Sequence, residues 1–293
     1  MSGLTQGAAT RPAPIGGYRH KAAFGAFVAA ALSIAVPRGA LAQDSQELAK
    51  AAQNPIADMV SLPFQNNTYF GVGPNRRTAD VLNIQPVVPV SLGDWKIINR
   101  LIAPLIYLPD LTNGLDVLPQ GVARGPEFGL GDINYTAFFT PPQRGHLIFG
   151  IGPSITAPTA TSDRLGAQKW SAGPSAVVVF TPGHWVLGTL VRQLWSFAGS
   201  NARQDVNQTL VQPFVNYNLA DGWSITSAPI ITANWQSVAG SRWLVPIGGG
   251  IGKLIKLDGQ PIQLGLQAYD NIERPTGAPQ WSLRFSISLL FPK

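Results

Sequence analysis

Two features of this 293-residue chain invite a chemical reading. The run Gly248-Gly249-Gly250-Ile251-Gly252-Lys253 resembles a phosphate-binding loop, in which backbone N–H groups cradle phosphates and a Lys and a hydroxyl complete the site. It fails at both ends: Ile247 precedes the run, and Leu254 stands where Ser or Thr would reach magnesium. Such glycines suit a strand in which another backbone comes close. The second feature is His146 and His184, each following a Gly. An interfacial hydrolase would need a nucleophilic Ser two residues away. Positions 144 and 148 are Arg and Ile, and positions 182 and 186 are Pro and Val, so no base–nucleophile pair forms. Both His are expected to be solvated. No His pair has metal spacing, and Asp and Glu lie mostly in connections, which disfavours an acid-pair protease. The chain is therefore expected not to be an enzyme and to hold no metal or cofactor.

Composition narrows the class further. There is no Cys, which excludes a disulfide framework, a thiol nucleophile and Cys-ligated metal. Only 12% of residues are charged, about half the usual share, against 45% hydrophobic. Residues 1–42 read as a secretory signal peptide: Arg11, Arg19 and Lys21 precede the apolar stretch Ala22 to Val36, and Ala40-Leu41-Ala42 supplies a small-x-small cleavage site. That stretch is short of the roughly 20 residues of a spanning helix. Removing 1–42 takes four of the 21 basic residues and none of the 15 acidic ones, so the formal charge falls from +6 to about +2. No nucleic-acid footprint remains.

The mature chain alternates with period two. Trp281, Leu283, Phe285, Ile287, Leu289 and Phe291 share one face, with Ser282, Arg284, Ser286 and Ser288 on the other. Twelve such strands are expected, over 64–72, 81–91, 95–107, 127–140, 145–156, 169–180, 184–198, 207–219, 223–235, 242–256, 260–271 and 281–291. In 95–107 and 184–198 both faces are apolar. The connections alternate long and short, from 73–80 (long) and 92–94 (short) to 257–259 (short) and 272–280 (long), as in an up-and-down sheet with distinct ends. All eight Trp fall near connections: Trp95, Trp185 and Trp223 by short ones, Trp170, Trp195, Trp235, Trp243 and Trp281 by long ones. That is the expectation for two aromatic girdles at lipid–water interfaces. The fold class is all-β: a transmembrane antiparallel up-and-down barrel of about twelve strands over 64–293, closed because an edge in lipid has no water to satisfy it. The location is the bacterial outer membrane, with lipid as partner and no nucleic acid.

Residues 43–63 precede the barrel, and 44–52 contain helix formers that end before Pro55, so this segment is expected to be a short helix, either a periplasmic tail or a plug in or under the lumen. The lumen-facing set is expected to be Asn83, Gln85, Arg100, Gln212, Asn216, Thr226, Asn234, Gln263, Gln267, Tyr269, Arg284 and Ser286. It is polar and mostly neutral, with Arg100 and Arg284 expected to pair with acids across the interior. Twelve strands enclose a narrow or blocked pore.

The runs Asn54 to Thr68, Val81 to Pro89, Trp95 to Pro104 and Leu194 to Gly199 resemble Gram-negative outer-membrane proteins of the meta-pathway phenol-degradation type, some labelled neuromedin U. The resemblance spans 48–293. It implies a barrel that passes small hydrophobic or aromatic compounds. The end, Leu290-Phe291-Pro292-Lys293, departs from the usual terminal aromatic. The function expected is a narrow passive channel. The alternative is a structural anchor with a filled interior, whose loop 108–126 binds a partner.

Overall fold

The computed structural model describes residues 45–110, 125–143 and 145–292. The expected signal peptide and most of the 108–126 connection lie outside them. A short helix, α1 (Ser45–Gln53), comes first. Fifteen β segments follow: β1 (Val60–Val72), β2 (Arg77–Ile84), β3 (Val87–Leu92), β4 (Trp95–Leu108), β5 (Glu127–Leu130), β6 (Ile133–Thr140), β7 (Leu147–Ala157), β8 (Lys169–Phe180), β9 (Trp185–Gly199), β10 (Asn207–Asn218), β11 (Trp223–Ser227), β12 (Ile231–Asn234), β13 (Trp243–Leu257), β14 (Gln260–Glu273) and β15 (Trp281–Phe291). They form one antiparallel sheet, in which β2/β3, β5/β6 and β11/β12 are each a single barrel strand interrupted once. The sheet closes where β1 meets β15, from Val60 opposite Phe291 to Phe70 opposite Trp281. The result is the twelve-stranded barrel expected from the alternation.

Two boundaries differ from the sequence reading by four residues. β1 starts at Val60 rather than 64, because Pro63 does not break it: its carbonyl accepts the Gln85 N–H at 2.9 Å, and Pro63 itself sits opposite Ser288. β2 starts at Arg77, so the first connection is only 73–76 and not 73–80. Polar Arg77, Thr78 and Asp80 hid a strand end that stands above the apolar belt.

The outer face carries the exposed aromatic and aliphatic residues. All eight Trp point outward at strand ends, three at the short-connection end and five at the other. Phe70 stacks on Trp281 with centroids 4.0 Å apart, and Trp235 meets Trp243 edge-on at 5.7 Å. β15 has 11 residues between the two ends. At about 3.3 Å per residue and a tilt of about 40° this is roughly 25 Å of height, the thickness of an outer-membrane apolar band. The glycine run at 248–250 holds backbone: a Cβ on Gly248 would strike the carbonyl of Ala268, and one on Gly250 that of Leu266. β13 is drawn tightly against β14 there, which is the strand role expected of it.

Candidate functional site

The interior of the barrel has two unlike walls. Along β3, β4, β6, β8, β9 and β10 the inward residues include Val87, Ile98, Phe138, Val177, Val179, Val186, Leu190 and Phe214, packed as one buried cluster. Ile56, from the segment after α1, inserts into it. The polar lumen-facing set expected from sequence thus accounts for only part of the interior. The two stretches with apolar residues on both faces, 95–107 and 184–198, are apolar because they face lipid outside and this cluster inside.

The other wall, running from β10 through β11, β13, β14 and β15 to β1, Gln85 and β4, is polar and borders a cavity of about 210 Å³. Of the residues picked from sequence, Gln85, Arg100, Gln212, Asn216, Thr226, Gln263, Gln267, Arg284 and Ser286 line it. Tyr269 stands just behind, donating its hydroxyl to Gln267 Oε1 at 2.8 Å. Asn83 faces inward opposite Gln65 but not onto the cavity. Asn234 lies apart, in a crevice with Gln208, Thr232, Arg242 and Leu244 under Pro275 and Ala278. Sequence reasoning missed Gln65, Ser224 and Ser288, although each alternates correctly with outward neighbours.

The arginines are not ion-paired. Arg284 Nε donates to Asn67 Oδ1 at 2.9 Å, and its Nη1 to the Ala228 carbonyl at 2.8 Å and Gln267 Oε1 at 3.3 Å. Its guanidinium lies 4.8 Å from the Tyr269 ring centroid, a cation–π distance. Arg100 Nη2 donates to Gln85 Oε1 at 2.6 Å. A third, Arg192, unpicked from sequence because it lies in 184–198, donates Nη1 to Asn134 Oδ1 at 2.7 Å. Among the described residues the ion pairs are Lys50–Glu47, Lys96–Asp58, Arg164–Glu127 and Lys169–Asp205, none involving these three. Among the described residues no carboxylate lines the cavity. The expected cross-lumen acid partners of Arg100 and Arg284 are replaced by amides and carbonyls.

These contacts explain the interrupted strands. Between β11 and β12 the Ala228 N–H donates to Tyr269 Oη at 2.9 Å while its carbonyl takes Arg284. A backbone break at membrane depth survives only if such groups are satisfied from within. The β2/β3 break is met similarly, with Leu101 N–H on the Pro86 carbonyl at 3.1 Å.

Both mouths are narrowed. At the short-connection end α1 buries Leu48 and Ala49, with Met59, against Leu254 and Leu290. Nine residues are too few for a helix to persist alone, so this packing holds it. Gln53 and Asn218 exchange reciprocal amide hydrogen bonds of 2.9 and 3.1 Å. Gln46 Nε2 lies 2.6 Å from His184 Nδ1, which gives this exposed His a partner on the helix; exposed His146 meets Phe180 edge-on. At the other end the 158–168 connection folds against the inner wall, with Leu165 buried on Ile106 and Leu108. Beside it Asp205 accepts from Lys169 Nζ at 2.6 Å and Ser196 Oγ at 3.2 Å, which hold its carboxyl below the usual range.

No family model matches this sequence, and no curated protein matches it. Among solved structures the chain is similar to an outer membrane channel from Pseudomonas putida F1, at 17% identity over 80% of this chain and 94% of that one, with a TM-score of 0.58. Outer membrane phospholipase A from Escherichia coli matches at 11% identity, covering 86% and 99%, with a TM-score of 0.43. The toluene transporter TodX of P. putida matches at 9% identity, covering 86% and 93%, with a TM-score of 0.40. At these identities the likeness concerns fold, and the first comparison carries it. A closed twelve-stranded antiparallel barrel with an apolar outer belt, sharing its fold with a solved outer membrane channel, makes this chain a transmembrane β-barrel.

Proposed function

We propose that the chain, exported by its residues 1–42, is a narrow passive channel for small hydrophobic or aromatic molecules rather than an enzyme. This agrees with the resemblance to the meta-pathway phenol-degradation type. The observation that carries the reading is the 210 Å³ cavity, polar on one side and bordered by Leu190 and Phe214 on the other, behind a short helix packed at the mouth. Its volume exceeds the roughly 150 Å³ that admits benzene to an engineered protein cavity. The girdle Trp would seat the barrel in lipid, and the nine cavity-lining residues picked from sequence would line the solute path.

The test is swelling of proteoliposomes carrying residues 43–293 in phenol-sized aromatic solutes. Swelling should exceed that of protein-free vesicles and rise further when residues 43–59 are removed. Rates equal to empty vesicles for both forms would overturn the reading. They would favour an anchor barrel with a filled interior, to which the packed Phe138 cluster lends support.

A further inference from the structure

The cavity wall has an uncompensated charge. Arg100 and Arg284 both border it, and among the described residues no Asp or Glu does. Arg284 is only 7% exposed. Arg192, on the neighbouring inner wall, likewise donates to a neutral amide, that of Asn134. Guanidinium groups in a space of low dielectric, facing neutral amides only, create a positive potential that favours an anion over a neutral solute. The hydrogen bonding is incomplete in the same sense. Among the described residues Arg100 uses one N–H, toward Gln85, and the rest of its planar fork is free for a carboxylate. Ser224, 2% exposed and on the cavity wall, has no hydrogen-bond partner for its hydroxyl. Opposite this polar set stand Leu190 and Phe214, where a ring or short chain can lie.

We propose that the cavity is a binding site for a small amphipathic organic anion, an aromatic or short aliphatic carboxylate. Its acid group is held by Arg100 and Arg284 with Ser224 as a further donor, and its apolar body lies toward Leu190 and Phe214. The proposal rests on the solute-channel reading and names the substrate class of that same site.

The experiment is calorimetric titration of the folded chain, residues 43–293, with benzoate and with uncharged benzamide at neutral pH and about 0.1 M salt, where exposed charges are screened. Benzoate should bind saturably at one site per barrel, at least tenfold more tightly than benzamide. Arg100→Gln should weaken benzoate at least tenfold, and Arg100→Lys should restore part of it. Arg284→Gln is the second variant. Because Arg284 also braces the Ala228 carbonyl, a failure of that variant to fold leaves the decision to Arg100. Equal affinity for benzoate and benzamide, or benzoate binding indifferent to Arg100→Gln, overturns the proposal. Swelling in phenol-sized solutes separates the two readings. Swelling without benzoate preference overturns the anion site alone. No swelling overturns the channel reading, and the titration still decides the site.

Discussion

Two arcs of the same barrel interior are built on opposite principles. From β3 to β10 the inner wall is a dry core, with Ile98, Phe138, Val179 and Val186 all buried and Ile56 filling the gap between them. From β10 round to β4 the wall is amide, hydroxyl and guanidinium, and the space beside it stays open. The outer faces of both arcs meet lipid with similar apolar residues. The difference teaches that apolar inward residues fill one side of the barrel as a core, while polar inward residues leave a chamber on the other. Polar side chains there also brace the interrupted strands, so the chamber wall and the sheet depend on each other.

The largest effect should come from breaking the dry arc. Phe138→Ala removes a side chain with 0% exposure and should cost about 3–5 kcal/mol, read as a lower urea midpoint for unfolding from detergent or lipid. Conductance is the second readout, since a hollowed dry arc should pass more ions. Next comes the brace in the polar arc. Arg284→Met orphans the Ala228 carbonyl and leaves the Asn67 amide oxygen only its 3.4 Å bond from Gln65, at about 2 kcal/mol. Tyr269→Phe, which removes the acceptor of the Ala228 N–H, should cost about 1–2 kcal/mol. If Arg284→Met were as stable as the parent, the strand break would not need its brace. The smallest effect lies at the mouth. Gln53→Ala removes the reciprocal amide pair with Asn218, about 1 kcal/mol, which should raise the open fraction about fivefold in single-channel recordings with little change in unfolding.

How legible this was follows from the same contrast. Along β14, Leu264, Leu266 and Ala268 face out while Gln263, Gln267 and Tyr269 face in, so period-two alternation reads directly when lipid lies on one side and a polar chamber on the other. In β4 and β9 the inner side is as apolar as the outer, the alternation vanishes, and Arg192 was hidden with it. The partners of Arg284 were also out of reach: Asn67 is 217 residues away in sequence, and Pro229, which marks the break at Ala228, does not tell which side chain braces it. The helix within 43–63 was readable from its formers and Pro55. Its grip on Asn218, and the insertion of Ile56 into a distant core, were not.

The central claim is that a short N-terminal stopper closes a real chamber. Single-channel conductance of residues 43–293 beside residues 60–293 tests it most directly, with folding of both checked by heat-modifiable migration. The account predicts brief, rare openings in the longer chain and sustained steps in the shorter one. Identical conductance in the two folded forms, or silence from both, would contradict it.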